Sequence, residues 1–351
     1  MPCAQSRNPK RFSPCVSNPC QGAVSLSNLV DLPRASPLEQ DLDPEILQAL
    51  VQRLHQGRAY ETWLGLLVAR HGHLVLETYP PQRTWRARND LKSATKSITG
   101  LLAGIALEQG LLDSLEQPIG DFFMEYLTGP NEPKGAIRLV DLLTMQAGLE
   151  WDEWADNYRH PASLFASRDS LAYTLGFPLA EAPGSRFRYS TGTSQLLAGL
   201  VQRACGQPLA DFAQTHLFDP LGIEPLRWDT HPDGIPYGGM RLHLRPRDML
   251  KMGLLCLDGG RWQGRRIVSA RWLQQSTAVQ SGADFWEGPY GYHWWVRPRG
   301  YTAYGYGGQY IYVLPRQELV VVFTARADLK RHIPLFALEH LLQKYLIPAC
   351  L

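Results

Sequence analysis

The chain has 351 residues, 44% of them hydrophobic and 19% charged, which suits one large domain or two interleaved ones with a sizeable core. Its net charge is +2 and its lysines and arginines are spread out, so nothing points to nucleic acid or an anionic membrane as a partner. No apolar run reaches the roughly 18 residues a membrane-spanning helix needs.

Residues 1–40 are rich in Ser, Pro, Asn and Cys without periodicity and read as a disordered leader. Deleting them is expected to leave folding and activity intact. The opening "MPCAQSRNPKRFSPCVSNPC" lacks the apolar core of a secretory signal, so a cytoplasmic location is the default and export stays open. Cysteines stand at 3, 15, 20, 205, 256 and 350, with neither zinc-ligand nor redox spacing. "DPEILQALVQRLHQG" (43–57) predicts an amphipathic helix, with Ile46, Leu50 and Leu54 on one face and Gly57 as its stop. "WLGLLVARHGHLVLETY" (63–79) predicts two strands joined by a tight turn at His71-Gly72.

From about 101 to 284 the pattern is mainly helical, with helices over 137–148, 193–206, 247–260 and 269–276. Strands return in "YGYHWWVRP", "YGGQYIYVLP" and "ELVVVFTAR", and a helix over 333–346 follows. The expected fold is α+β. Its antiparallel sheet comes from both ends of residues 41–351, about 55–100 and 285–351, with helices on it and a helical domain inserted.

"LKSATKSITG" (91–100) leads into the apolar run "LLAGIALEQGLL". At helical spacing Ser93, Lys96, Ser97, Gly100 and Gly104 share a narrow stripe, opposite Ile98, Leu101, Leu102 and Ile105. Lys96 therefore stands one turn above Ser93. Burial disfavours a charged lysine, and the helix N-terminus pushes the same way. A neutral amine can take the Ser93 proton while the helix end stabilises an oxyanion. The alternative is a serine and a lysine on a surface helix. Against it, this is the only S-x-x-K in the chain, and no G-x-S-x-G elbow competes with it.

These residues resemble the serine beta-lactamase and penicillin-binding-protein superfamily. The class C beta-lactamase-like branch, with family VIII carboxylesterases and 6-aminohexanoate-dimer hydrolases, is the nearer match. The resemblance covers about residues 55–350 and rests on several stretches in order: "SATK", "IRLVDLLTMQAGLEW", "PGSRFRYSTGTSQLLAGLVQRACGQPL", "YGGMRLHLRPRDMLKMGLLCLDGGRWQGRRIVSARWL" and "YGYGGQYIYVLPRQELVVVFT". It implies Ser93 as nucleophile, Lys96 as its partner and Tyr189 as a proton shuttle. A phenol beside a lysine amine suits that task. It also places "YGYGGQ" on the strand beside the site. There Gly305 and Gly307 permit close approach, and the N–H groups of Tyr306 and Ser93 form the oxyanion hole. The alternative for these glycines is a bulge without catalytic duty.

Two departures bear on substrate. The Tyr-x-Asn element reads Tyr189-Ser190-Thr191, and the Lys-Thr-Gly position reads Tyr304-Gly305 or Tyr306-Gly307, without a cation. Loss of that cation argues against recognition of a substrate carboxylate. Trp151, Trp154 and Tyr158 are pocket candidates, each also readable as packing. His71 and His73 lack a third metal ligand nearby, and no cofactor or metal is implied. The reading is a serine hydrolase that cleaves a small ester or amide through acyl-Ser93. The alternatives are a penicillin-recognising beta-lactamase or D,D-peptidase type of enzyme, and a catalytically silent scaffold.

Overall fold

The computed structural model describes residues 32–155, 158–224, 227–282, 288–327, 333 and 335–351. Alternation along its strands explains why they read as near-continuous apolar runs. In β1 (Trp63–Arg70), Leu66 and Val68 face one hydrophobic cluster while Leu67 and Ala69 face another. β2 is His73–Thr78, β3 Trp295–Arg297, β4 Gly300–Gly305, β5 Gln309–Leu314 and β6 Leu319–Ala325. In β5, Tyr310, Tyr312 and Leu314 join Leu66, and Ile311 and Val313 join Leu67. A sheet buried on both faces leaves no polar side to alternate with.

The six strands form one antiparallel sheet in the order β2-β1-β6-β5-β4-β3. The N-terminal hairpin thus pairs with the last strand, as the α+β reading expects. His71 and Gly72 have φ of 48° and 80°, the left-handed pair that a two-residue hairpin turn demands.

Helix α1 (Pro44–Gln56) covers one face together with α5 (Leu335–Leu341). Asp43 caps α1 by accepting from the N–H groups of Glu45 and Ile46 at 2.8 and 3.2 Å. Its buried stripe is Leu47, Leu50 and Leu54, and Ile46 is only half-buried, a one-residue correction to the expected face. The other face carries α2 (Thr95–Glu108) and α4 (Pro246–Leu257), and α3 (Thr191–Cys205) packs on α2 within the same hydrophobic cluster.

The expected leader lies outside the described residues up to 31. From Leu32 onward the chain is docked on the fold: Leu32 is buried, Arg34 pairs with Glu77, and the backbone of Pro33 and Ala35 bonds to that of Leu74 at 2.8 and 3.3 Å. The segment 32–40 therefore belongs with the folded part. The central region also holds short strands that the helical pattern hides. Asn89–Asp90 and Arg227–Trp228 flank Leu242–Leu244 in a small sheet, and Arg261–Trp262 pairs with Arg265–Arg266. Two-residue strands are too short to show a period. Strand β4 is hidden too, because its glycines and tyrosines show no clean alternation.

Candidate active site

The site forms where the N-terminus of α2 meets the N-terminus of α3. Lys92, with φ of 50°, opens a 3-10 turn over Lys92–Ala94 that runs into α2. A left-handed non-glycine residue costs on the order of 1–3 kcal/mol. Asp90 offsets this: its carboxylate accepts the Lys92 N–H at 2.9 Å and pairs with Lys92 Nζ at 2.7 Å. The result presents Ser93 just before the regular helix, half-buried.

Lys96 is 1% exposed. Its Nζ lies 3.4 Å from Ser93 Oγ, 3.2 Å from Thr191 Oγ1 and 3.2 Å from the Gly239 carbonyl oxygen. The same nitrogen is 4.9 Å from the centre of the Tyr189 ring. Ser93 and Lys96, one turn apart, are thus joined by Tyr189, which lies more than ninety positions further along the chain. The 3.4 Å separation is long for a hydrogen bond, as is common before substrate binds. Ser97 turns away: its hydroxyl donates to the His293 carbonyl at 2.6 Å and ties α2 to the segment before β3.

Tyr189 is held between aromatic rings. It stacks on Trp295 with centroids 5.6 Å apart and meets Tyr290 edge-on at 6.3 Å. Ser190 caps α3 by accepting the Thr193 N–H at 2.9 Å. That cap turns the chain so that Tyr189 and Thr191 both reach Lys96.

Gly239 belongs to the loop 231–239, whose sequence shows only turn chemistry. A Cβ there would stand 2.8 Å from Lys96 Nζ, so only glycine leaves the lysine its place. Gly305 is similar: a Cβ would stand 2.0 Å from the Leu91 carbonyl oxygen and 3.0 Å from Lys92 Cβ. The end of β4 is therefore pressed against the residues just before Ser93, with Tyr306 next in sequence. Gly307 differs. Its φ is 88°, and a Cβ would meet Ala327, so it serves the turn into β5 rather than the approach to Ser93.

The three aromatic pocket candidates separate. Trp151 is fully buried among His160, Tyr173 and Phe177 and offers a ligand no surface. Trp154, which is 43% exposed, packs on Tyr158 at 5.1 Å, and Tyr158 approaches Tyr306 at 6.4 Å. These last three rings link the helical side to the end of β4.

Sequence reasoning missed Glu153 and took Thr191 only as the place of an absent amide. Glu153 is buried and accepts the Thr191 N–H at 2.8 Å, the Trp151 Nε1–H at 2.6 Å and the Thr191 hydroxyl. The available signal was an acidic residue between two tryptophans, together with a hydroxyl where the resemblance wanted an amide.

Comparison with known proteins finds a match to the Beta-lactamase family over residues 48–341. The chain belongs to that family. A 6-aminohexanoate-dimer hydrolase from Paenarthrobacter ureafaciens is 26% identical over 308 residues, covering 79% of this chain and 76% of that protein. Several carboxypeptidase relatives are matched over less than two thirds of their own length. Among solved structures, a Bacillus anthracis protein provisionally named a 6-aminohexanoate-dimer hydrolase superposes with a TM-score of 0.74 at 21% identity, covering 91% of this chain and 86% of that one. A family VIII carboxylesterase superposes with a TM-score of 0.67 at 14% identity, covering 91% and 99%. The chain is accordingly a beta-lactamase-fold hydrolase in which helices pack on an antiparallel sheet. Among the described residues no helix is long and apolar enough to cross a membrane.

Proposed function

We propose that this hydrolase cleaves a small ester or amide through an acyl-enzyme on Ser93. The observation that carries the reading is the buried amine of Lys96, 3.4 Å from Ser93 Oγ and beside the Tyr189 ring. In the first step Ser93 Oγ bonds to the substrate carbonyl carbon as its proton passes to Lys96 Nζ. The oxyanion is met by the N–H groups of Ser93 and Tyr306. The leaving alcohol or amine departs with that proton, relayed by Tyr189. Water then adds to the acyl carbon, and the Ser93 oxygen leaves and regains a proton.

The mouth favours uncharged substrates. Residues 304–307 supply no lysine, arginine or histidine, and Trp154, Tyr158 and Tyr306 supply aromatic surface instead. The amide hydrolase among the relatives supports amides, and the carboxylesterase among the structural neighbours supports esters.

The test is hydrolysis of p-nitrophenyl butyrate, and of short amides, by the wild type and by Ser93→Ala. The expected result is loss of at least about a thousandfold in kcat, with intact-mass evidence of an acyl adduct in the wild type alone. Activity that survives in Ser93→Ala removes Ser93 as nucleophile.

A further inference from the structure

We propose that Glu153 is a positioning residue for the Ser93–Lys96 pair, acting by fixing the direction of the hydrogen bond between Thr191 and Lys96. The inference rests on the reading of Ser93 as nucleophile and Lys96 as its base.

Hydrogen-bond polarity decides the direction. Oε2 of Glu153 accepts two N–H groups, from the Thr191 backbone and from Trp151 Nε1. Neither can reverse, because each is only a donor. Oε1 faces the Thr191 hydroxyl, which donates its single proton to it. The Thr191 oxygen can therefore only accept from Lys96 Nζ, 3.2 Å away. The Gly239 carbonyl, also at 3.2 Å, can likewise only accept. A neutral lysine amine has two N–H bonds and one lone pair. With both N–H bonds committed to these acceptors, its lone pair turns to the side where Ser93 Oγ lies. That is the orientation a base needs to receive the serine proton.

Glu153→Gln tests this with little change of shape. The amide oxygen must take the Oε2 place, since two N–H donors point there. The amide nitrogen is then forced to the Oε1 place, facing the Thr191 hydroxyl. The polarity reverses: Thr191 accepts from the amide and offers its proton to the lysine lone pair, in competition with Ser93. The variant also removes a negative charge one hydroxyl away from Lys96, which makes the amine easier to deprotonate.

The experiment measures kcat and KM for p-nitrophenyl butyrate from pH 5 to 10 in the wild type, Glu153→Gln, Thr191→Val and Thr191→Ser, beside Ser93→Ala. Glu153→Gln is expected to lower kcat by about tenfold or more, to leave KM within about twofold, and to move the acid limb of kcat/KM to lower pH. Thr191→Val keeps the backbone N–H on Glu153 but lacks the hydroxyl, so kcat falls by a similar factor; Thr191→Ser restores it. If Glu153→Gln does not fold, the Val and Ser pair carries the test alone. A Glu153→Gln profile that superposes on the wild type, or equal kcat for Thr191→Val and Thr191→Ser, overturns the inference while an inactive Ser93→Ala leaves the nucleophile standing. An active Ser93→Ala overturns both.

Discussion

Acid should weaken this protein through a histidine that lies outside the chemistry. His231 is 2% exposed, and among the described residues neither of its ring nitrogens finds a hydrogen-bond partner. Its ring lies 3.9 Å from that of Tyr237. Burial pushes its pKa down from 6.5 to about 4; the Asp233 carboxylate works against the shift and the Arg241 guanidinium adds to it. Between these values the unfolded chain binds a proton that the folded chain refuses. Stability from this group is therefore whole above about pH 6.5 and drains as pH falls towards 4. The full effect is about 3 kcal/mol, of which about 2 kcal/mol is gone by pH 5. Urea unfolding at pH 7.5 and 5.0 measures it in the wild type and in His231→Phe, which keeps the ring packing and cannot titrate. The variant should lose about 2 kcal/mol less than the wild type between the two conditions. His293, whose pKa burial also lowers to about 4, supplies a similar loss that the substitution leaves in place. Activity should follow, because His231 opens the loop whose Gly239 carbonyl holds Lys96. Equal losses in the two proteins would refute the reasoning, since His231 would then titrate alike folded and unfolded.

Two further outcomes follow from single contacts. Gly239→Ala places a methyl group 2.8 Å from Lys96 Nζ, so kcat for p-nitrophenyl butyrate should fall by about tenfold or more, with the thermal midpoint moved little; an unchanged kcat would mean that the lysine position is not critical. A chain that begins at residue 41 loses buried Leu32 and the Arg34–Glu77 pair, and should be about 1–3 kcal/mol less stable than one that begins at residue 32; equal urea midpoints would show that this packing contributes nothing.

What is legible in the sequence is what leaves a local pattern. The β1–β2 hairpin carries its turn in two residues, and α2 carries a lysine in an otherwise small and apolar run. Both can be read from the residues alone. Part of the helical centre can be read too, through Gly206, which ends α3 with φ of 62°, whereas the helix expected over 137–148 runs only from Leu139 to Leu143 and stops well short of Gly148. The contacts between Glu153 and Thr191 cannot, because they join residues 38 positions apart and no period records such a meeting. The loop 231–239 is opaque for the same reason: Gly238 and Gly239 look like turn glycines until Lys96 and Ser194 are seen against them. Gly307 errs the other way, since a glycine run beside a candidate site cannot say which member faces it.

The two departures from the family motifs act in the same direction once Glu153 is taken into account. An asparagine amide beside the lysine could accept from it and still donate to a bound substrate. The Thr191 hydroxyl cannot, because Glu153 takes its only proton. On the proposed reading this side of the cleft serves the base alone and offers the substrate no donor. On the same reading, the place of a carboxylate-binding cation is taken by Tyr304-Gly305 or Tyr306-Gly307. On that reading both changes remove polar recognition beside the bond to be cleaved while Ser93 and Lys96 are kept. The proposed reading then leaves for binding the N–H groups of Ser93 and Tyr306 and the aromatic edge of Trp154, Tyr158 and Tyr306. Such a cleft selects by apolar contact and shape, where one methylene more or less changes rates by about tenfold to two hundredfold. A series of p-nitrophenyl esters of rising acyl length is therefore the natural measure of its specificity.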